Sequence, residues 1–238
     1  MKLLETGLPG CLVVEPRVFN DGRGFFYESW NQARFAALAG DGRFAGADLA
    51  ASFVQSNVSR SHRGVLRGLH YQWPNPQGKL VSVLDGEIWD VAVDLRRGSP
   101  EFGRWAGVVL SSSNHRQLWV PEGFAHGFLV LSDSALVSYL CTAAYDPDAT
   151  GTVHWQDPQL AIDWPLSGRL PMLSQTDAEA PRLDAVPARR LPAWVPPADA
   201  SGAGFSGTDP ARPDSSDGSG LARPGEADLA RSGGKGSA

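Results

Sequence analysis

Sulfur is scarce in this 238-residue chain, which has two cysteines, Cys11 and Cys141, and two methionines. The cysteines lie far apart and follow no metal-ligand spacing. Neither a disulfide framework nor a zinc site is implied, and both read as buried thiols of a reducing compartment. No run of eighteen apolar residues occurs, so no membrane-spanning helix is expected. The opening Met1-Lys2-Leu3-Leu4-Glu5-Thr6-Gly7-Leu8-Pro9-Gly10 contains an acidic residue and no long apolar stretch. It does not read as a signal peptide, so the expected location is the cytoplasm. Positive charge is limited too: 21 Lys+Arg stand against 26 Asp+Glu, a net charge of −5. That balance argues against a broad nucleic-acid-binding surface, although a local basic cluster would suffice for an anionic small molecule.

Residues 199–238 are rich in Gly, Ser, Ala, Asp and Pro, and their large apolar residues are Phe205, Leu221 and Leu229. Such a segment cannot bury enough surface to offset its ordering entropy. The expected organisation is one folded domain over 1–198 followed by a disordered tail over 199–238. Within 1–198 the pattern is mostly β. Residues 79–84 and 87–95 form two β-rich runs around Asp85-Gly86, and Asp-Gly tolerates the positive φ of a tight turn, so a hairpin is expected. In the second run Trp89, Val91 and Val93 alternate with Asp90 and Asp94. Further short strands are expected at 12–16, 51–59, 66–72, 105–110, 116–120, 127–130 and 135–143, and one helix at 32–38. Many short strands with Gly and Pro punctuation point to an all-β sandwich or barrel, with a jelly roll as the natural choice because its sheets enclose a cavity.

The densest polar punctuation is Val65-Leu66-Arg67-Gly68-Leu69-His70-Tyr71-Gln72, followed by Gln77-Gly78-Lys79. Strict strand alternation puts Arg67 and Leu69 on one face, and Gly68 and His70 on the other. A short connection then carries Lys79 to a neighbouring strand. A second cluster spans Arg116 to Phe128, with His126 just before a strand. A third holds Tyr139 and Tyr145, whose even spacing puts both hydroxyls on one face of a regular strand. Each residue alone is commoner as packing than as chemistry.

The motifs taken together are more specific. Asp21-Gly22-Arg23-Gly24-Phe25-Phe26-Tyr27-Glu28, Gln55-Ser56-Asn57, the runs at 65–72, 77–79 and 124–128, Tyr139, and Leu173-Ser174-Gln175-Thr176-Asp177 occur in this order. The series resembles the dTDP-4-dehydrorhamnose 3,5-epimerase family from about residue 5 to residue 185. The resemblance implies a cupin-type jelly roll, a dimer in which an N-terminal segment completes the partner's site, and a dTDP-linked 4-keto-6-deoxy sugar as substrate. By the same resemblance His70 is the general base, Asp177 its orienting carboxylate, Tyr139 the general acid and Lys79 the cation beside the 4-keto oxygen. Arg23, Glu28, Gln55, Asn57, Arg67 and His126 match positions that contact nucleotide, diphosphate or sugar. Two positions depart from the commonest pattern: Thr176 stands where lysine is common, and Thr150 where glutamate is frequent.

These residue types suit the implied reaction. A hydrogen beside a ketone is acidic because the resulting charge delocalises onto the carbonyl oxygen, so a base at carbon and a cation at oxygen must act together. Histidine titrates near neutrality. Inversion further requires an acid on the opposite face of the ring, which a held phenol supplies. Arg23 and Arg67 are candidates for bidentate phosphate contacts. One base and one acid suffice without a cofactor. A metal site is not expected, because none of His62, His70, His115, His126 and His154 stands two residues from another and a transition-metal site needs about three protein ligands. The alternatives are an epimerase acting on one carbon only, C3 or C5, of a related nucleotide sugar, and a non-catalytic carbohydrate-binding jelly roll. The product of the implied reaction feeds deoxysugar supply for polysaccharide, O-antigen or a glycosylated metabolite.

Overall fold

The computed structural model describes residues 1–39 and 52–196. The tail expected over 199–238, and residue 51 of the strand expected at 51–59, lie outside the described residues. The elements in chain order are β1 (Lys2–Glu5), β2 (Leu12–Glu15), β3 (Phe19–Asp21), β4 (Gly24–Phe26), α1 (Gln32–Ala39), β5 (Gln55–His62), β6 (Leu66–Gln72) and β7 (Lys79–Asp85). There follow β8 (Glu87–Asp94), β9 (Trp105–Ser111), β10 (Gln117–Val120), β11 (Phe124–Val130), β12 (Ser134–Cys141), β13 (Thr150–Thr152) and the one-turn helix α2 (Gln175–Ala178). Two sheets form, in the orders β1-β2-β10-β7-β12-β5 and β13-β6-β11-β8-β9, with β3 and β4 as a separate hairpin. The eight strands β5 to β12 pair as β5·β12, β6·β11, β7·β10 and β8·β9. This is a long antiparallel ribbon wound on itself, the jelly-roll path through an open sandwich.

The expected hairpin at Asp85-Gly86 is not present. Gly86 does adopt the left-handed conformation, at φ +82°. The chain there steps from one sheet to the other, because β7 pairs with β10 and β12 while β8 pairs with β9 and β11. Turn chemistry fixes the local backbone but not the partner. Both strands are apolar on two faces, so pairing was decided by which sheet each completes. Val81, Val83, Ile88 and Ala92 pack between the sheets with Leu118, Val120, Phe124, Phe128 and Val137. Leu66, Val91, Val93 and Leu129 face outward beneath Val153, Trp155, Leu160, Trp164 and Leu183 of the C-terminal segment. Leu12, Val14, Leu80 and Trp119 face the other way, under Phe35 of α1. Sheets buried on both sides read as near-continuous apolar runs. Asp90 and Asp94 do alternate with Val91 and Val93, yet both carboxylates are fully buried. Asp94 accepts from Arg96 at 2.7 Å and from Ser99 at 2.7 Å.

Strand β6 also departs from strict alternation, with consequences for the site. Its register against β11 shifts between His126↔His70 and Phe128↔Arg67, so three steps on β6 match two on β11. This bulge turns Arg67 and His70 to one face, as bulges beside active sites commonly do. Gly68 makes it possible: its φ is +122°, and a Cβ there would lie 2.6 Å from Gly127 Cα. Replacement by alanine adds left-handed strain to a backbone clash. Gly68→Ala is expected to destabilise the protein by about 2–4 kcal/mol, read as a lower denaturant midpoint at unchanged slope.

Candidate active site

The bulge sets His70 inward on β6, directly opposite His126 of β11. Facing it from the other sheet are Lys79 at the start of β7 and Tyr139 near the end of β12. Because β6 and β7 belong to different sheets, Lys79 stands across the cavity from His70 rather than on an adjacent strand. His70, Lys79, Tyr139 and Asp177 line one cavity of about 480 Å³, together with Gln55, Asn57 and the two threonines Thr150 and Thr176. Tyr145 lines it as well, although β12 ends at Cys141 and the two tyrosines do not share a strand.

Asp177 reaches His70 from the far end of the chain. The local signal is Ser174-x-x-Asp177, a helix-opening pattern: the Asp177 backbone N–H donates to Ser174 Oγ at 3.1 Å, and Ser174 caps α2. The buried carboxylate then lies 2.6 Å from His70, Oδ1 to Nε2. With Nε2–H donating to the carboxylate, the ring's lone pair is on Nδ1. Burial pushes the Asp177 carboxyl upward. The hydrogen bond and charge of His70, with donors from Ser174 and the Gly68 N–H, outweigh that and hold it below the usual aspartate range.

The opposite wall has the complementary character. Lys79 is buried, and among the described residues no carboxylate pairs with it. Burial therefore lowers the pKa of its ammonium, with only the Cys141 sulfur opposing the shift. Burial raises the Tyr139 phenol, Cys141 adds to the rise, and the Arg67 guanidinium pulls it partly back. The wall thus presents a cation in want of an anion and a phenol held in its protonated form. Both cysteines are free and buried, as expected, and burial pushes the Cys11 thiol up to about 12.

The remaining expected site residues divide into four groups. Gln55 and Asn57 are in the cavity wall, joined by a 3.0 Å hydrogen bond, and Asn57 donates to Cys141 Sγ at 3.6 Å. Arg67 is exposed and does not line the cavity, its Nε donating to Ser61 Oγ at 3.0 Å, although its charge reaches the Tyr139 phenol. His126 belongs to β11, which begins at Phe124 and not at the expected residue 127. It is buried on the strand paired with that of His70 and lies 2.7 Å from Asp90, Nε2 to Oδ1. Burial raises the Asp90 carboxyl, and His126 offsets part of the rise. Arg23 and Glu28 are not in this cavity. Arg23 sits on the exposed β3–β4 hairpin paired with Asp21 at 2.6 Å, and Glu28 pairs with Arg34 at 3.2 Å. Two buried glutamines escaped the sequence reading as site residues. Gln72 donates to the Ala144 carbonyl at 3.1 Å and Gln77 to the Ala143 carbonyl at 2.7 Å, so together they tie the β6–β7 connection to the segment after Tyr139. Their place inside the two most polar motifs was the available signal.

The family model for dTDP-4-dehydrorhamnose 3,5-epimerase matches residues 5–185. The chain is 50% identical over 185 residues to the dTDP-4-dehydrorhamnose 3,5-epimerase of Salmonella typhimurium, covering 77% of this chain and 96% of that one. It is similar to the crystal structure of the dTDP-6-deoxy-D-glucose-3,5-epimerase of Legionella pneumophila in complex with dTDP-4-keto-L-rhamnose. There the TM-score is 0.76 and the identity 50%, over 82% of this chain and 99% of that one. The Mycobacterium tuberculosis epimerase structure gives a TM-score of 0.74 at 44% identity, over 82% of this chain and 94% of that one. The matched stretch 5–185 contains every residue lining the His70 cavity, and the chain belongs to the dTDP-4-dehydrorhamnose 3,5-epimerase family.

Proposed function

We propose that this chain inverts C3 and C5 of dTDP-4-dehydro-6-deoxy-D-glucose, giving dTDP-4-dehydro-L-rhamnose, with His70 as base and Tyr139 as acid. The observation that carries the assignment is the placement of a carboxylate-backed imidazole on one sheet, facing on the other a phenol and an ammonium with no carboxylate partner among the described residues, around one cavity. His70 Nδ1 takes the proton from the carbon beside the ketone. The C–H electron pair moves into the ring and onto the carbonyl oxygen, where the Lys79 ammonium meets the developing charge. Asp177 stabilises the imidazolium that forms. Tyr139 delivers a proton to the other face of the same carbon, and solvent resets both groups. Repetition at the second carbon completes the double inversion.

In this reading the folded unit of 1–198 carries the chemistry and works in the cytoplasm as a homodimer. Phe19, Phe25 and Phe26 are exposed on the β3–β4 hairpin beside Arg23. Apolar exposure of that kind supports docking against a second copy, with Arg23 and Glu28 serving the partner's cavity.

The test is deuterium wash-in from solvent, with product identified by NMR after coupling to a ketone reductase. Exchange at both carbons is expected. Exchange at one alone would make the chain a single-carbon epimerase, and none at all would make it a binder. For Tyr139→Phe, exchange persists while inversion falls about 10²-fold, since abstraction needs only His70 and Lys79. Equal loss of the two would remove Tyr139 from the acid's role.

A further inference from the structure

The β3–β4 hairpin pairs with neither sheet. Its strands have three residues each, and a two-stranded hairpin of that size does not hold a fixed orientation by itself. Its orientation comes from outside. Across the hairpin Phe19 pairs with Phe26 and Asn20 with Phe25, so Phe19 and Phe26 share one face and Phe25 stands on the other. Phe19 and Phe26 are 51% and 70% exposed. Phe25 is exposed too, but its ring lies 4.6 Å from that of His115 in the β9–β10 loop. Tyr27, just past the end of β4, puts its ring 5.1 Å from the same imidazole, and the Phe25 and Tyr27 rings lie 6.0 Å apart at 20°. Three rings at these spacings form one aromatic cluster.

His115 is a firm seat for the other two. It adopts the left-handed conformation, at φ +54°, which a residue other than glycine keeps only where its surroundings fix it. Here they do. The His115 N–H donates to the Ser111 carbonyl at 3.0 Å. The neighbouring Asn114 side chain accepts from the N–H groups of Ser111 and Arg116, at 3.1 and 2.9 Å, and donates to the Val109 carbonyl at 3.0 Å. Arg116 ties the same loop to Glu15 at 2.8 Å, at the end of β2 where the chain leaves for the hairpin. The two residues held against the imidazole stand in the chain between Arg23 and Glu28, which the proposed function assigns to the partner's cavity.

We infer that His115 is a positioning residue for the partner's active site: its ring sets the angle at which one protomer's hairpin carries Arg23 and Glu28 to the other's cavity. The inference rests on the proposed homodimer and on the service of its hairpins in trans. A hairpin already seated has little freedom left to lose, and preorganisation of that kind lowers the cost of binding substrate. The imidazole takes no part in proton transfer, so its loss is read in KM and not in kcat.

Steady-state epimerisation of dTDP-4-dehydro-6-deoxy-D-glucose by the full chain provides the test. His115→Gly removes the ring while suiting the left-handed backbone. Tm is therefore held, and KM rises about tenfold at unchanged kcat, the loss of two aromatic contacts. Should that variant fail to fold, His115→Asn takes its place, since asparagine also tolerates this conformation and lacks the ring. The discriminating sample is a mixed dimer of one His70→Ala protomer and one His115→Gly protomer, tagged differently and purified through both tags. Its one cavity with a base belongs to the His115→Gly protomer and is served by the hairpin of the protomer that keeps His115. Native KM is expected there, at about half the native kcat per dimer. A KM still raised in the mixed dimer would mean that His115 acts within its own protomer, and an unaltered KM in the His115→Gly homodimer would mean that it positions nothing; either overturns the inference. The proposed function fails differently. A native chain that sediments as a monomer while turning over removes the dimer, and this inference with it. Turnover by the His70→Ala homodimer removes the base assignment alone, because the KM of the His115→Gly homodimer is read without it.

Discussion

His70→Ala lowers kcat by about 10³–10⁴-fold, taking the upper part of the range for a positioned acid–base group, and abolishes deuterium exchange at both carbons. Among the described residues lining the cavity there is no other imidazole, and no carboxylate besides Asp177, to take over. Tyr139 is held protonated by burial, Lys79 stands buried on the opposite wall, and His126 is buried on the neighbouring strand with its Nε2 committed to Asp90. The fold survives the change, because the His70 side chain is 43% exposed and contributes little packing. Asp177 loses one partner but keeps its Ser174 and Gly68 donors. The pH dependence of stability is a second readout. The folded-state pKa of Asp177 is depressed, so its contribution is present above the ordinary value of 3.8 and is lost as pH falls through the folded value. In His70→Ala that depression shrinks, and acid unfolding depends less on this carboxyl. Substantial turnover by a well-folded His70→Ala protein would remove His70 from the mechanism.

Lys79→Met produces opposite effects on rate and stability. Without the ammonium the enolate oxygen develops its charge in an enclosed site with no cation, and kcat falls about 10²–10³-fold, the loss typical of removing one preorganised electrostatic partner. Stability rises instead. Lys79 is only 8% exposed and has no carboxylate partner among the described residues, so the folded state carries an uncompensated buried charge. Methionine keeps the length and apolar stem of the side chain. The sign follows from the depressed pKa. Destabilisation by Lys79 is complete below its folded-state pKa and is relieved as pH rises from there towards the ordinary 10.5. The Tm difference between Lys79→Met and the native chain is therefore largest at neutral pH and narrows in alkali. A lower Tm for the variant at neutral pH would mean that the ammonium is compensated in the folded protein.

Much of the architecture was legible in the sequence because strand periodicity and Gly/Pro punctuation are local. The strands at 12–16, 105–110 and 116–120 and the helix at 32–38 match observed elements to within a residue. What failed was non-local. Asp85-Gly86 specified its turn, yet apolar residues on both faces of β7 and β8 left the sheet partner undetermined. The bulge at Gly68 could not be read from alternation, since Arg67 and His70 share a face only through the shifted register against β11. Asp177 is 107 residues from the imidazole it touches, a pairing that no spacing argument reaches and that entered the sequence reading only through family resemblance.

The winding of the jelly roll has a temporal consequence. Tyr139 and Asn57 face each other across β12 and β5, the outermost pair of the wound ribbon, and the imidazole opposite them waits for a carboxylate later still. Closing such long loops is entropically slow, and topologies of high contact order fold slowly for that reason. A nascent chain leaving the ribosome therefore carries no half-made catalyst. Its base and its acid are synthesised well before they meet, and competence for proton transfer arises only when the last turns of the body have docked.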